Sequence, residues 1–367
     1  MSRFRFLALL LLLVVNPITA ADPPPEIAPF FKPAAEFATD FGTYRSPLTF
    51  DDGSMVKTAA DWQKRRKEIL TYWHGAMGEW PKLIESPKIE YLEKEQRDTV
   101  TQHHIKIETA PGRIVDDAFL LVPEGKGPFP AVVVVFYEAN TGIGKGKAEF
   151  RDFAIQLARR GFVTLSLGGN PSTFYPTQET CKIQPLSFHA YEAANCHTAL
   201  SKLPNVDPKR IGIVGHSYGG KWAMFASCLY EPFAAAAWSD PGIVFDEARG
   251  NVNYWEPWYI GFDPALGKDQ RKPGIPNEKN PRTGPYKKMM AEKRDLHELH
   301  ALMAPRPFLV SGGSEDLAER WKPLNHSIAV NKLLGFDNRV ALTLRKGHSP
   351  TMESNDQMYR FFEWSLK

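Results

Sequence analysis

Gly215-His216-Ser217-Tyr218-Gly219 sets a serine between two glycines, directly after the apolar run Ile211–Val214 and just before the helix-forming stretch Lys221–Tyr230. A serine at such a strand-to-helix turn sits in a strained backbone. Glycines on either side keep Cβ atoms out of the crowded chain, the hydroxyl stands above the strand end, and the next backbone N–H faces the same point. The chemistry this suits is nucleophilic acyl transfer. A serine hydroxyl is a weak nucleophile until a base takes its proton, so the pattern asks for an imidazole and a carboxylate to orient it.

The base is expected late in the chain, on the loop after the last strand, and "RVALTLRKGHSP" places His348 there. His216 adjoins the serine but points the wrong way, and His103 and His104 lie in an early strand. His297 and His300 form an i, i+3 pair, yet "HELH" is not H-E-x-x-H and no third ligand is evident, so no metal is expected. For the acid, Asp316 is the first choice, because it follows the strand "RPFLVSGG" and leaves room for one helix and one strand before His348. Asp240, at the end of "AAAAWSD", is the rival, and Glu315 and Glu247 remain open. Any of them gives the chain order Ser, acid, His. The oxyanion donors are expected to be the N–H of Tyr218 and one from the loop near Tyr137 or Glu138. "TGIGKGK" (141–147) fails the phosphate-loop pattern G-x-x-x-x-G-K-[ST], and no organic cofactor is implied.

These groups need a scaffold. "FPAVVVVFYE" is a near-continuous β-branched run, as in a strand buried on both faces. From there strands alternate with amphipathic helices to the final helix "NDQMYRFFEWSL", which predicts a largely parallel sheet covered on both sides. "TVTQHHIKIET" and "DDAFLLVPEG", joined through "APGR", predict an antiparallel start. "ADWQKRRKEILTYWHGAMG" reads as an accessory helix with Asp61 able to cap it. Residues 241–305 interrupt the alternation and hold Tyr254, Trp255, Trp258 and Tyr259, which suggests a cap over the active-site end.

Residues 1–20 join Arg3 and Arg5 to the apolar run Phe6–Val15 and a small-residue end at Ala20, the pattern of a secretory signal. The expected layout is therefore signal 1–20, arm and accessory helix 21–98, and main domain 99–367, exported to the periplasm or beyond. Of the chain, 43% is hydrophobic and 24% charged, which is ordinary globular composition. The formal charge of +3 drops to about +1 without Arg3 and Arg5, which argues against nucleic acid, and no later apolar segment is long enough for a membrane. Cys181 and Cys196 could pair in an oxidising compartment, leaving Cys228 as a core residue.

The chain resembles the α/β-hydrolase superfamily, and within it the bacterial glucuronoyl esterases and acetyl xylan esterase-like carbohydrate esterases. The likeness lies in "ADWQKRRKEILTYWHGAMGEWP", in "GHSYGGK", in "DLHELHALMAPRPFLVSGGSEDLAERW" and in "RKGHSP". It implies an α/β-hydrolase fold with an N-terminal extension and a cap-like insertion between late strands. It also implies an exported serine ester hydrolase acting on a decorated polysaccharide or its fragments. By position it assigns Ser217 as nucleophile, Asp316 as acid and His348 as base, Lys221 as a contact to uronic-acid hydroxyls, and Trp255 or Trp258 as the sugar-packing tryptophan. Where glucuronoyl esterases carry an arginine after the serine, this chain has Tyr218. A peptidase of the prolyl-oligopeptidase kind fits less well, because no propeller-length segment precedes the core. A carbohydrate-binding protein on a retired hydrolase fold is the non-enzymatic alternative.

Overall fold

Every side chain from Ala131 to Phe136 is buried, and a strand with no polar position needs cover on both faces. The computed structural model, which describes residues 22–169 and 183–367, supplies that cover. The strands are β1 (Ile89–Arg97), β2 (Val100–Ala110), β3 (Arg113–Pro123), β4 (Phe129–Phe136), β5 (Val163–Gly168), β6 (Val206–His216), β7 (Ala235–Ser239), β8 (Phe308–Gly312) and β9 (Val340–Leu344). They form one sheet in the order β1-β2-β3-β5-β4-β6-β7-β8-β9. Pairing is antiparallel from β1 through β3 to β5, and parallel from β5 to β9.

Side chains divide by parity, as a period of two requires. Val133 and Val135 join one apolar cluster with Ile211, Ile213, Trp238 and Val310, whereas Val132 and Val134 join another with Val214, Ala237 and Leu309. The first face is covered by α1 (Ala59–Met77), α4 (Pro185–Ser201), α5 (Tyr218–Leu229), α7 (Leu296–Ala301) and α8 (Trp321–Leu333). The second is covered by α3 (Phe153–Arg159) and α9 (Met352–Leu366), together with Ile27 and Phe31 of the N-terminal arm. Among the described residues the two remaining α-helices are the single turn α2 (Ala139–Gly142) after β4 and α6 (Gly284–Ala291) in the insertion. Among the described residues no helix is long and apolar enough to cross a membrane.

Three expectations change. The sheet begins at Ile89, inside the stretch read as arm and accessory helix. β1 is an edge strand, exposed along nearly its whole length, and its "IEYLEKEQR" carries charge on both faces, so it has no apolar alternation to betray it. Helix α1 is capped by Thr58, whose hydroxyl accepts from the Asp61 N–H, while the Asp61 carboxylate returns to the Thr58 hydroxyl. The last part of 241–305 is not additional to the core, since all six residues of α7 are buried in the helical layer. The expected signal segment 1–20 and Cys181 lie outside the described residues. Cys196 and Cys228 are both fully buried.

Arg65 of α1, fully buried, joins arm, helix and insertion. Its Nη1 donates to Asp51 Oδ1 at 2.7 Å and to Glu68 Oε2 at 2.9 Å, and its Nη2 stands 3.6 Å from buried Glu298 of α7. Arg294 completes the set, donating to Glu298 and to Asp51. Removing one member of a buried ion cluster strands its partners. Arg65→Met should therefore cost about 3 kcal/mol in a denaturant titration.

Asp295 caps α7 from a half-buried position, accepting from the N–H groups of Leu296 and Phe245. Burial pushes its carboxyl up to about 7, although those two N–H groups pull it down. The folded chain thus holds a proton there that the unfolded chain, with an ordinary aspartate near 3.9, has lost. Stability from this group is fully present below about pH 4 and is lost as pH rises towards 7. Asp295→Asn keeps a good cap and removes the titration. Its stability relative to wild type should rise between pH 4.5 and pH 7, as read from urea midpoints.

Candidate active site

The parallel strands bring the site to one rim. His216 at the end of β6 pairs with Ser239 of β7, and Ser239 pairs with Ser311 of β8, so the turns that follow are neighbours. Ser217 has φ 56° and ψ −114°, a left-handed conformation costly for a residue with a side chain. The turn closes only because of its glycines. A Cβ on Gly215 would sit 2.2 Å from Gly219 O, and one on Gly219 would sit 2.0 Å from Val135 O. The Ser217 N–H donates to Ser239 O at 2.8 Å, which ties the turn to β7.

Ser217 Oγ lies 2.8 Å from His348 Nε2, and His348 Nδ1 lies 2.7 Å from Asp240 Oδ2. A carboxylate accepts from the Nδ1 proton and leaves Nε2 as acceptor for the serine hydroxyl, the tautomer that base catalysis needs. Asp240 is fully buried and also has a left-handed backbone, φ 50°. Its other oxygen, Oδ1, accepts from the N–H groups of Gly313 at 2.7 Å, Asp316 at 2.9 Å and Glu315 at 3.1 Å. The base loop is clamped from behind by Arg345. That guanidinium donates to His348 O at 2.6 Å, Ser349 O at 2.9 Å and Ser311 O at 2.7 Å.

The acid facing His348 is therefore Asp240, which corrects the first choice of Asp316. Asp316 turns inward, and its carboxylate accepts from the N–H groups of Gly242 at 2.9 Å and Ile243 at 2.7 Å. Burial and the nearby Asp240 raise its carboxyl to about 6. Glu315 lies closer to the base. Asp240, Glu315 and His348 each offer an atom within 4.8 Å of the others, but both nitrogens of His348 are already engaged. The Glu315 carboxylate accepts from Asn251 and Ser314. Glu247 is remote from this chain of contacts, forked onto Arg282 and bonded by Tyr286.

Tyr218 opens α5, where first-turn N–H groups have no partner within the helix. Tyr137 and Glu138 follow β4 at the same rim, both exposed, and the Tyr137 ring packs 4.5 Å from that of Tyr218. Two substrate-contact expectations fail on burial. Lys221 is 2% exposed and donates to the carbonyls of Pro241 at 2.5 Å and Asn251 at 3.0 Å, with its charge over the Tyr254 ring. Burial brings its ammonium down to about 8, against the pull of Asp316, Glu315 and Asp240. Trp255 is fully buried, and its indole N–H donates to Glu256. Trp258 remains partly exposed and packs on Tyr259. His297 is bonded to Arg45 O in the core and His300 is fully buried beside Trp238, so the pair serves packing. The reading from sequence assigned no role to Arg345, although its place three residues before the base was in view.

No family model matches the chain. It is similar to a glucuronoyl esterase from Solibacter usitatus, with a TM-score of 0.65 and 19% identity over 89% of this chain and 98% of that one. A putative acetyl xylan esterase from Bacteroides fragilis superposes with a TM-score of 0.53 and 14% identity over 86% of this chain and 79% of that one. In sequence, 137 residues are 29% identical to acyl-coenzyme A thioesterase 3 of Mus musculus, covering 37% of this chain and 28% of that protein's length.

Asp240→Asn should lower kcat by about 10³–10⁴-fold on a chromogenic ester, because an amide no longer fixes the tautomer. Asp316→Asn, which touches two backbone N–H groups and no imidazole, should keep kcat of the wild-type order while lowering the melting temperature. The sheet order, the strained serine turn and the superpositions together make this an α/β-hydrolase fold.

Proposed function

We propose that this chain is an exported serine carboxylic ester hydrolase acting on a carbohydrate ester, with Ser217, His348 and Asp240 as its catalytic residues. The observation that carries the reading is the unbroken run of contacts from Ser217 Oγ to His348 at 2.8 Å and on to Asp240 at 2.7 Å. It stands at a turn held in a left-handed backbone, φ 56° at Ser217.

Ser217 attacks the ester carbonyl while His348 Nε2 takes its proton, and a C–O bond forms as the carbonyl electrons move onto oxygen. The N–H of Tyr218 and one from Tyr137 or Glu138 receive that oxygen, each such donor being worth about 3 kcal/mol. Collapse expels the alcohol, which takes the proton from His348. Water then repeats the cycle on the acyl-enzyme and releases the carboxylic acid. Proton transfer through a placed base contributes about 10²–10⁴-fold. Asp240 keeps its charge throughout and steadies the imidazolium, helped by three N–H groups that need no rearrangement.

The carbohydrate side of the proposal rests on likeness to the glucuronoyl and acetyl xylan esterases. Flat apolar surface at the rim adds to it. Tyr137 is 50% exposed and Trp258 is partly open, and aromatic faces cover the C–H faces of sugar rings. A fluorophosphonate should label the protein once, at Ser217, and Ser217→Ala should neither react nor turn over a glucuronate methyl ester, acetylated xylan or a feruloyl ester. Labelling at another residue, or ester turnover by Ser217→Ala, would contradict the proposal.

A further inference from the structure

Asp117, on the antiparallel strand β3, turns its carboxylate across the end of β5 and onto the turn that follows β4. Its Oδ2 and Oδ1 accept from the Ala139 N–H at 3.1 Å and 3.2 Å. Ala139 opens the single turn α2, and Glu138 before it supplies no side-chain cap of its own. The reach depends on β5 ending in glycine. A Cβ on Gly168 would collide with Asp117 Oδ2 and stand 2.9 Å from Ala139 N, so the carboxylate fills the space a side chain would take. Ser166, also on β5, donates its hydroxyl to Ala139 O at 2.8 Å. Both polar groups of the Ala139 backbone are thus held by neighbouring strands, and Ala139 is buried while Tyr137 and Glu138 beside it are exposed.

The same turn sets the direction of the expected oxyanion donors. Gly169, just past β5, donates its N–H to Phe136 O at 3.1 Å and to Tyr137 O at 3.0 Å. Both carbonyls therefore face the β5 side of β4. In a trans peptide the N–H points opposite to the carbonyl of the same unit, and the cis bonds among the described residues precede Pro128 and Pro305. The N–H groups of Tyr137 and Glu138 accordingly face the other side of β4. There β6 runs alongside, with Gly215 level with Val135 and Ser217 two residues further on. Ala139 is no oxyanion donor, since its N–H is spent on Asp117. Were those peptides to rotate, carbonyl oxygens instead of N–H groups would meet the developing negative charge.

We propose that Asp117 is the positioning residue of the oxyanion site. By fixing Ala139 it holds the N–H groups of Tyr137 and Glu138 towards Ser217. The proposal rests on the reading of Ser217 as the ester-cleaving nucleophile, and it gives the antiparallel end of the sheet a part in catalysis. Its effect falls on the transition state, because the substrate oxygen gains its charge only as the bond to Ser217 forms.

Two rates measure it: turnover of p-nitrophenyl acetate, and fluorophosphonate labelling at Ser217, in which the phosphoryl oxygen needs the same donors. Asp117→Ala should lower kcat and the labelling rate by about 10–100-fold, with KM within about twofold. Asp117→Asn keeps an oxygen that can accept from the Ala139 N–H, and should recover most of the loss. Gly168→Ala leaves the carboxylate in the chain but takes its place, and should reproduce the loss. The double variant should lose no more than Asp117→Ala alone, as two changes acting through one contact do. Melting temperatures are read alongside, and if Asp117→Ala does not fold, Gly168→Ala decides alone. Wild-type kcat and labelling in the variants, a loss confined to KM, or an Asp117→Asn protein as slow as Asp117→Ala overturns the proposal. A wild-type protein that neither turns over the ester nor labels, or a Ser217→Ala protein that still does, fails the esterase reading instead.

Discussion

The site depends on one buried carboxylate shared between an imidazole and a turn. Asp240 gives Oδ2 to His348 and Oδ1 to three N–H groups of the turn that follows β8. Hydrogen bonds to charged acceptors in a low-dielectric setting are among the strong ones. Losing any of these would loosen both the base and the strand end that supports it. The geometry of the candidate site and the support of the neighbouring strand ends are thus one structure.

The arrangement is reciprocal. Asp240, after β7, satisfies the turn after β8, while Asp316, from that turn, satisfies Gly242 and Ile243 just beyond β7. Two neighbouring strand ends each lend the other a carboxylate. Two acids so close in the core repel if both are fully charged, and burial, joined by the nearness of Asp240, raises the Asp316 carboxyl. Arg320, 3.6 Å from Asp316 Oδ1, offsets part of it.

What could be read from the residues follows from how local each determinant is. Ser217 is marked by its own glycines, and His348 by chain order after the last strand, so both were legible. The acid was not, because β7 and β8 each lead into an aspartate, and only the direction of the backbone N–H groups decides between them. Asp240 reaches His348 from a left-handed backbone that no sequence pattern announces. Trp255 and Lys221 misled for a common reason. The insertion packs its apolar residues into the main core beside α5, and an aromatic or a lysine buried there is unavailable to substrate. The parallel sheet was legible from its apolar runs, while β1, polar on both faces at the edge, was not.

Lys221 has a mechanical consequence. It stands four residues after the nucleophile on α5, yet its ammonium grips the carbonyls of Pro241 and Asn251 at the root of the insertion. The helix that begins just after Ser217 and the start of the insertion are therefore riveted together, and neither moves without dragging the other. A displacement of either piece would be felt by the other, so the position of the Ser217 turn and that of the insertion's root are set together.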